Sequence, residues 1–474
     1  MNRTVCLGAA VLFWAHLGIA QQSAEHQQKD EAERQRVMRA LGFTPEREHA
    51  AEVEQKREMH VLGITALRPG VSQKPGDANP VNYDDAKAAL SSPLPDPLRF
   101  NDGGRVRTVQ DWQKRRAEIV EIFDREIFGR VPANVPAVTW SVAKTERGVE
   151  DFTDGNGAAQ HIAFVRKHLI GHVNNSSDPG IKVDIVLDLT IPEKRQGKVP
   201  VEMEFSWMFQ FPKGLPRIAG AEPPGPTWQQ QVLARGWGYA ELSPTSIQGD
   251  SGADLQQGII GLANQGKPRE MDQWGALRAW AWGASRAMDY LETDDALDAK
   301  RVGIDGHSRY GKAALVTMAY DARFRVAYVS SSGAGGTALW RRNFGEQIGN
   351  VSAANEFHWM AGNFLKYSAE PLHTSDLPVD MHELIALCAP RHVFVGAGAA
   401  QGDKWADAKG EFLAEVAATP VYHLFGEQGI ESPVFPPVGE AVVAGALGFR
   451  QHELGHTQAP NWPVYLDFAE KAFR

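Results

Sequence analysis

Residues 301–315, Arg-Val-Gly-Ile-Asp-Gly-His-Ser-Arg-Tyr-Gly-Lys-Ala-Ala-Leu, constrain this chain more than any other stretch. An apolar strand-like run, Val302-Gly303-Ile304, leads to Gly306, and after Ser308 small and apolar residues repeat with helical spacing. A strand that becomes a helix within so few residues must pass through a sharp turn, and Gly306 lets the two backbones approach. The strict pattern G-x-S-x-G is not met, because Gly311 stands one position too late. The physics of a nucleophile elbow holds nonetheless: a serine on such a turn sits at a helix N-terminus, whose free N–H groups and positive dipole end favour an oxyanion. The competing reading is a helix-capping serine. Arg309 and Lys312 place two cations beside the one hydroxyl and favour a site.

The surroundings of that motif set the fold class. Residues 138–142, 162–165, 183–187 and 199–209 read as strands, and 214–231, rich in Pro and Gly, as a loop insertion. Strand and helix signals then alternate. Strands are expected at 238–242, 302–304, 326–329, 392–395 and 421–424, and helices at 272–291, 309–319, 410–417 and 462–473. Such alternation predicts an α/β protein with a mostly parallel sheet covered by helices on both faces. Sites in these sheets lie at the carboxyl ends of strands. Ser308, Asp403 and His456 each follow an expected strand.

A serine nucleophile needs a base, and the base needs an orienting acid. In α/β-hydrolases the chain order is serine, acid, histidine. His456, between the last expected strand and the terminal helix, stands where that fold carries its catalytic histidine. His452-Glu453-Leu454-Gly455-His456 also fits the zinc-protease pattern H-E-x-x-H, which requires both histidines on one helix. Residues 449–457 lack helical periodicity, and no third histidine follows, so no metal site is expected.

Gly306-His307-Ser308-Arg309-Tyr310-Gly311-Lys312 resembles the serine motif of the glucuronoyl esterases, carbohydrate esterase family 15, above all their bacterial members. The similarity runs from about residue 62 to the C-terminus. It implies an α/β-hydrolase fold and cleavage of esters of glucuronic acid, often 4-O-methylated, as in lignin–carbohydrate linkages of glucuronoxylan, without a cofactor. It further implies that Arg309 faces the oxyanion, that Lys312 and Glu346 hold sugar hydroxyls, and that Trp405 lines the sugar pocket. His358 matches a family His-Trp pair and is placed with the substrate-binding residues. One departure stands out: many members carry a glutamate after the strand that follows the nucleophile helix, and here Ser331 occupies that position. Asp403, after the strand at 392–395, is available as the acid, with Asp407 in reserve; either could instead cap the next helix. An acetyl-xylan esterase or peptidase on the same fold, and a non-catalytic carbohydrate-binding relative, are the alternatives.

Residues 1–20 read as a signal peptide: Arg3, a short apolar run, then small residues before Gln21. The run is too short for a membrane span, so the expected location is periplasmic or secreted. Residues 21–98 form a charged helical and then extended region, its charges expected to face solvent, and 99–474 the catalytic domain. Only Cys388 remains after cleavage, so no intramolecular disulfide is expected, and its apolar surroundings suggest a buried thiol. A net charge of −9 without a basic run argues against nucleic-acid binding.

Overall fold

The computed structural model describes residues 44–474, except position 75 and 208–224. Its strands are β1 (Val138–Thr153), β2 (Ala159–Val173), β3 (Asp184–Pro192), β4 (Val199–Phe205), β5 (Gly238–Leu242), β6 (Leu297–His307), β7 (Val326–Ser330), β8 (His392–Gly398), β9 (Ala441–Ala444) and β10 (Leu447–His452). They form one sheet in the order β1-β2-β3-β5-β4-β6-β7-β8-β10-β9. Pairing is antiparallel from β1 to β5, parallel from β5 through β10, and antiparallel again at the β9 edge. The mostly parallel sheet expected from the alternation is present, with an antiparallel extension on one side.

The principal helices are α1 (Pro45–Val61), α2 (Val109–Ile122), α3 (Trp228–Ala234), α4 (Ala276–Leu291), α5 (Arg309–Tyr320), α6 (Met381–Ala386), α7 (Ala408–Leu424) and α8 (Trp462–Ala472). Successive strand residues point to opposite faces, and the core divides accordingly. Val326 and Tyr328 of β7 pack with α3 and α8, while Ala327 and Val329 pack with α4, α5 and α7. Every residue of β4 and β7 is buried, as strands covered on both faces require.

Three local expectations are corrected. Residues 421–424 are the last turn of α7, not a strand. Their β-branched and aromatic character serves burial instead: Val421 and Tyr422 are fully buried, and the Tyr422 hydroxyl donates to the carbonyl of Arg391 at 3.2 Å. Pro420 lies inside the helix without ending it. The loop expected over 214–231 gives way to α3 at Trp228, where Thr227 and Gln230 form a reciprocal capping box; residues 214–224 lie outside the described part. The charged run is not wholly solvated either. Of it, α1 is described; Pro45 follows the capping residue Thr44, and Glu58 is fully buried in an ion pair with Arg269 at 2.8 Å. Mutual neutralisation, together with bonds from Arg269 to the carbonyls of Trp274 and Met360, admits these charges to the interior.

Apart from position 75, residues 68–98 run along the body in largely extended form, with a short helical turn at Asp85–Lys87. Arg68 N–H donates to the Ser368 carbonyl at 2.7 Å, Asn82 to that of Asn343 at 2.6 Å, and Asp85 pairs with Arg342 and Lys409. Cys388 is free and fully buried, and burial pushes its thiol up to about 11. The apolar run of residues 1–20 lies outside the described residues.

Candidate active site

The turn between β6 and α5 places Ser308 at φ 61° and ψ −128°, a left-handed backbone rarely adopted by a side-chain-bearing residue. Such strain persists only where surrounding structure enforces it. Here a Cβ at Gly306 would overlap the Tyr310 carbonyl, and one at Gly311 would press on the Ser330 carbonyl at 2.8 Å. The two glycines thus permit the strand and helix to close on each other. Ser308 N–H donates to the Ser330 carbonyl at 2.8 Å, tying the elbow to β7.

His456 stands four residues past β10, and its Nδ1 lies 2.6 Å from Oδ1 of Asp403. Asp403, on the turn after β8, is completely buried. Its second oxygen accepts the Ser331 hydroxyl at 2.7 Å and the Gly398 N–H. With one oxygen so anchored, the other can meet only the imidazole. The His307 ring lies 4.2 Å from that of His456, centroid to centroid. Burial, with the neighbouring His456 and His452, holds His307 well below the usual imidazole range. A neutral ring therefore backs the candidate base.

Asp407 does not approach His456. It is the left-handed N-cap of α7, accepting from Gly410 N–H at 3.1 Å and pairing with Arg342. The H-E-x-x-H segment is the end of β10 and the bend after it. There His452 Nε2 engages the Thr457 carbonyl at 2.8 Å, and its Nδ1 accepts from Leu454 N–H at 3.1 Å. The two histidines have separate partners and no helix to align them.

Ser308 and His456 open on one pocket, lined also by Arg309, Lys312, Ser331, Glu346, Glu356, Trp359 and Trp405. Lys312 Nζ donates to Glu346 at 2.8 Å and to the Ala334 carbonyl at 2.5 Å, and sits 5.5 Å from the Trp359 ring. Glu346 also accepts Ala334 N–H at 3.0 Å, while its own N–H donates to the Trp405 carbonyl at 2.9 Å. Lys312, Glu346 and Trp405 are therefore one hydrogen-bonded wall. The left-handed Gly345 lets it close, since a Cβ there would strike the Trp405 carbonyl.

His358 is brought near but not into the pocket. It is fully buried behind the wall, with Nε2 2.9 Å from Asp250. The resemblance placed His358 with the substrate-binding residues; it does not line this pocket, and it reaches it only through Asp250.

Two residues escaped the sequence reading. Asp250 pairs with the Arg309 guanidinium and accepts Trp359 Nε1–H at 2.8 Å. Burial alone would raise its pKa, yet Arg309 and these bonds hold it well below the usual carboxylate range. Its place after β5, at a carboxyl strand end, was the available signal. Glu356 reaches the pocket two residues before His358. Burial, then the nearby Glu346 carboxylate, push it up to about 8 despite Lys312 and Arg309, and its Oε2 has no hydrogen-bond partner among the described residues. Only the folding of 346–359 back over α5 brings it there.

A serine on a strained elbow, a histidine after the last parallel strand and a carboxylate bonded to it, all on a sheet of this order, define the α/β-hydrolase class. Comparison with known proteins narrows it. A family model described as glucuronyl esterase, fungi, matches residues 269–426. Carbohydrate esterase MZ0003, from an unknown prokaryotic organism, is 33% identical over 414 residues, covering 82% of this chain and 91% of its own. A 4-O-methyl-glucuronoyl methylesterase of Schizophyllum commune is 28% identical over 391 residues, covering 81% and 82%. The structure of a family 15 glucuronoyl esterase from Teredinibacter turnerae superposes with TM-score 0.80 at 42% identity, covering 90% of this chain and all of that one. The chain belongs to the glucuronoyl esterases of carbohydrate esterase family 15, and it is a carboxylic ester hydrolase. Among the described residues no helix is long and apolar enough to cross a membrane.

Proposed function

We propose that this chain hydrolyses esters of glucuronic acid and its 4-O-methyl ether, as in lignin–carbohydrate linkages of glucuronoxylan, through an acyl-enzyme on Ser308. His456 takes the Ser308 proton as Oγ attacks the ester carbonyl carbon. Arg309 and the N-terminal amides of α5 hold the developing oxyanion. The protonated His456 returns the proton to the departing alcohol. Water, deprotonated by His456, then attacks the acyl carbon, and Ser308 leaves with the proton as the uronic acid is released. Asp403 keeps the imidazole in the right tautomer and stabilises its cation. Lys312, Glu346 and Glu356 engage the sugar hydroxyls, and Trp405 packs on the ring.

The observation that carries the reading is the 2.6 Å bond between Asp403 and His456, beside a pocket whose polar wall is the Lys312–Glu346 pair. It also weighs against a non-catalytic binding protein, since Ser331 in the family's glutamate position leaves the histidine with an acid all the same. Hydrolysis of benzyl glucuronate by the purified chain, abolished in Ser308→Ala, is the test. An inert wild-type chain, or an active Ser308→Ala variant, refutes it. Activity confined to acetyl esters or peptides would transfer the same machinery to another substrate. We further read residues 1–20 as an export signal, 21–98 as a charged, helical and then extended N-terminal region and 99–474 as the catalytic domain, in a periplasmic or secreted protein.

A further inference from the structure

Arg309 and Trp359 both line the pocket, yet they lie 50 positions apart in the chain. One carboxylate joins them. Asp250 stands on the loop after β5, with one oxygen on the Arg309 guanidinium and the other accepting from Trp359 Nε1 at 2.8 Å and engaging His358 Nε2 at 2.9 Å. The guanidinium is further flanked by the Trp359 ring at 5.1 Å and the Trp207 ring at 5.6 Å. A long arginine side chain has many rotamers; a buried ion pair between two aromatic faces leaves one.

The loop that carries Asp250 is itself held. Gly249 sits so close to the Asp254 carboxylate that a Cβ would overlap it, and Asp254 pairs with Arg47 of α1. Gly252 has no side chain where the ring of Phe357, the neighbour of His358, packs on it. The two segments that meet at Asp250 are therefore also packed against each other. Asp250 does not line the pocket and can act only through the residues it holds.

We propose that Asp250 is a positioning residue for ester hydrolysis: it aims the Arg309 guanidinium at the oxyanion and fixes Trp359 beneath Lys312. This rests on the reading that Arg309 faces the oxyanion. Removing the negative charge while keeping the shape frees the guanidinium to turn away, and loss of an oxyanion donor affects the chemical step more than substrate binding.

Two rates test it. One is kcat on benzyl glucuronate. The other is phosphonylation of Ser308 by a p-nitrophenyl alkylphosphonate, followed by mass spectrometry and normalised to the fraction of chains finally labelled. The second needs no sugar, so it separates failure of the uronate reading from failure of this proposal. Asp250→Asn is expected to slow both rates by about 10²-fold while KM moves by less than about threefold. Arg309→Gln is expected to do the same, and the Asp250→Asn, Arg309→Gln double variant to be no slower than Arg309→Gln alone, because both changes remove one arrangement. The double variant leaves no uncompensated buried cation, so it serves even where Asp250→Asn folds poorly. Phosphonylation of Asp250→Asn near the wild-type rate, or a double variant much slower than Arg309→Gln, would overturn the proposal and leave Asp250 a purely structural anchor.

Discussion

The Ser331 hydroxyl donates to Oδ2 of Asp403 at 2.7 Å, and Oδ1 of the same carboxylate meets His456 at 2.6 Å. Ser331, where the resemblance implies a glutamate, thus supports an acid at the neighbouring strand end. Ser331 itself adopts φ 45°, so the backbone there is bent to deliver the hydroxyl.

Asp403→Asn is expected to lower kcat on glucuronate esters by roughly 10⁴-fold, because a neutral amide neither stabilises the imidazolium nor enforces its tautomer. Ser331→Glu in that background should recover part of the rate, since position 331 lies within hydrogen-bond reach of the same carboxylate site. In the wild-type background Ser331→Glu should be harmful, because it sets two buried carboxyls against each other. Steady-state kinetics on the four proteins decide; a near-silent Asp403→Asn would remove Asp403 from the mechanism.

The Lys312–Glu346 pair is buried, with side-chain exposures of 4% and 7%. Truncating either partner to alanine leaves the other charge uncompensated, at a cost of about 3–5 kcal/mol in stability. On the chains that fold, uronate esters should suffer far more than simple acetyl esters, because only the former lose hydroxyl contacts. Parallel kcat/KM measurements on methyl glucuronate and p-nitrophenyl acetate, alongside thermal denaturation, test both statements. Equal losses on the two substrates would make the pair purely structural.

Glu356 ionises only at about 8, because burial and the nearby Glu346 disfavour its charge. Below that pH it can donate a hydrogen bond to the bound sugar; above it the donor is lost. KM for uronate esters should therefore rise through about pH 8, with kcat changing less. Glu356→Gln, which keeps a donor at every pH, should flatten the rise. A pH profile of KM identical in the two proteins would count against Glu356 as the titrating group.

Glu411 bears on stability. Its Oε1 accepts from Ser332 N–H, Ser332 Oγ, Gly333 N–H and Thr337 Oγ1, which fold the loop beneath the pocket. Burial raises its pKa from 4.5 to about 8, the bond from Gly333 opposing and the nearby Asp403 adding. Between those values the folded chain retains a proton that the unfolded chain has released. Its contribution is therefore full below pH 4.5 and is lost as pH rises through about 8. Glu411→Gln should make the decline of unfolding free energy over this window shallower by on the order of 1 kcal/mol per pH unit. Urea denaturation at pH 5, 6, 7 and 8 measures it; an unchanged slope would show that Glu411 is not the proton carrier.

Much of this molecule is legible in one dimension. The elbow at Ser308, its flanking parallel strands and the place of Asp403 after a strand follow from local periodicity, glycine placement and chain order; the strand before His456 does not, since the last strand was expected at 421–424 and β10 instead spans Leu447–His452. Residues 238–242 match β5 end for end because a short run bounded by turn signals has no alternative state that buries it as well. Where local signals compete, tertiary packing wins. Val421 and Tyr422 suit either a strand or a helix, and as a helix they are fully buried with the Tyr422 hydroxyl on the carbonyls of Ile385 and Arg391.

The site divides along the same line. Residue type and order alone pointed to the serine, the histidine and the acid, since each is attached to a secondary-structure boundary. Chain order already put Asp403 ahead of Asp407, and the side-chain directions separate the two, four residues apart on one turn: Asp403 meets His456 and Asp407 pairs with Arg342. Asp250, Glu356 and the true place of His358 were invisible for a stronger reason. Their roles arise from contacts between segments about 10 to 110 positions apart, and from burial that changes what a carboxyl or imidazole can do. Chain order sets which groups are available; the packed interior sets which of them carry charge and where they point.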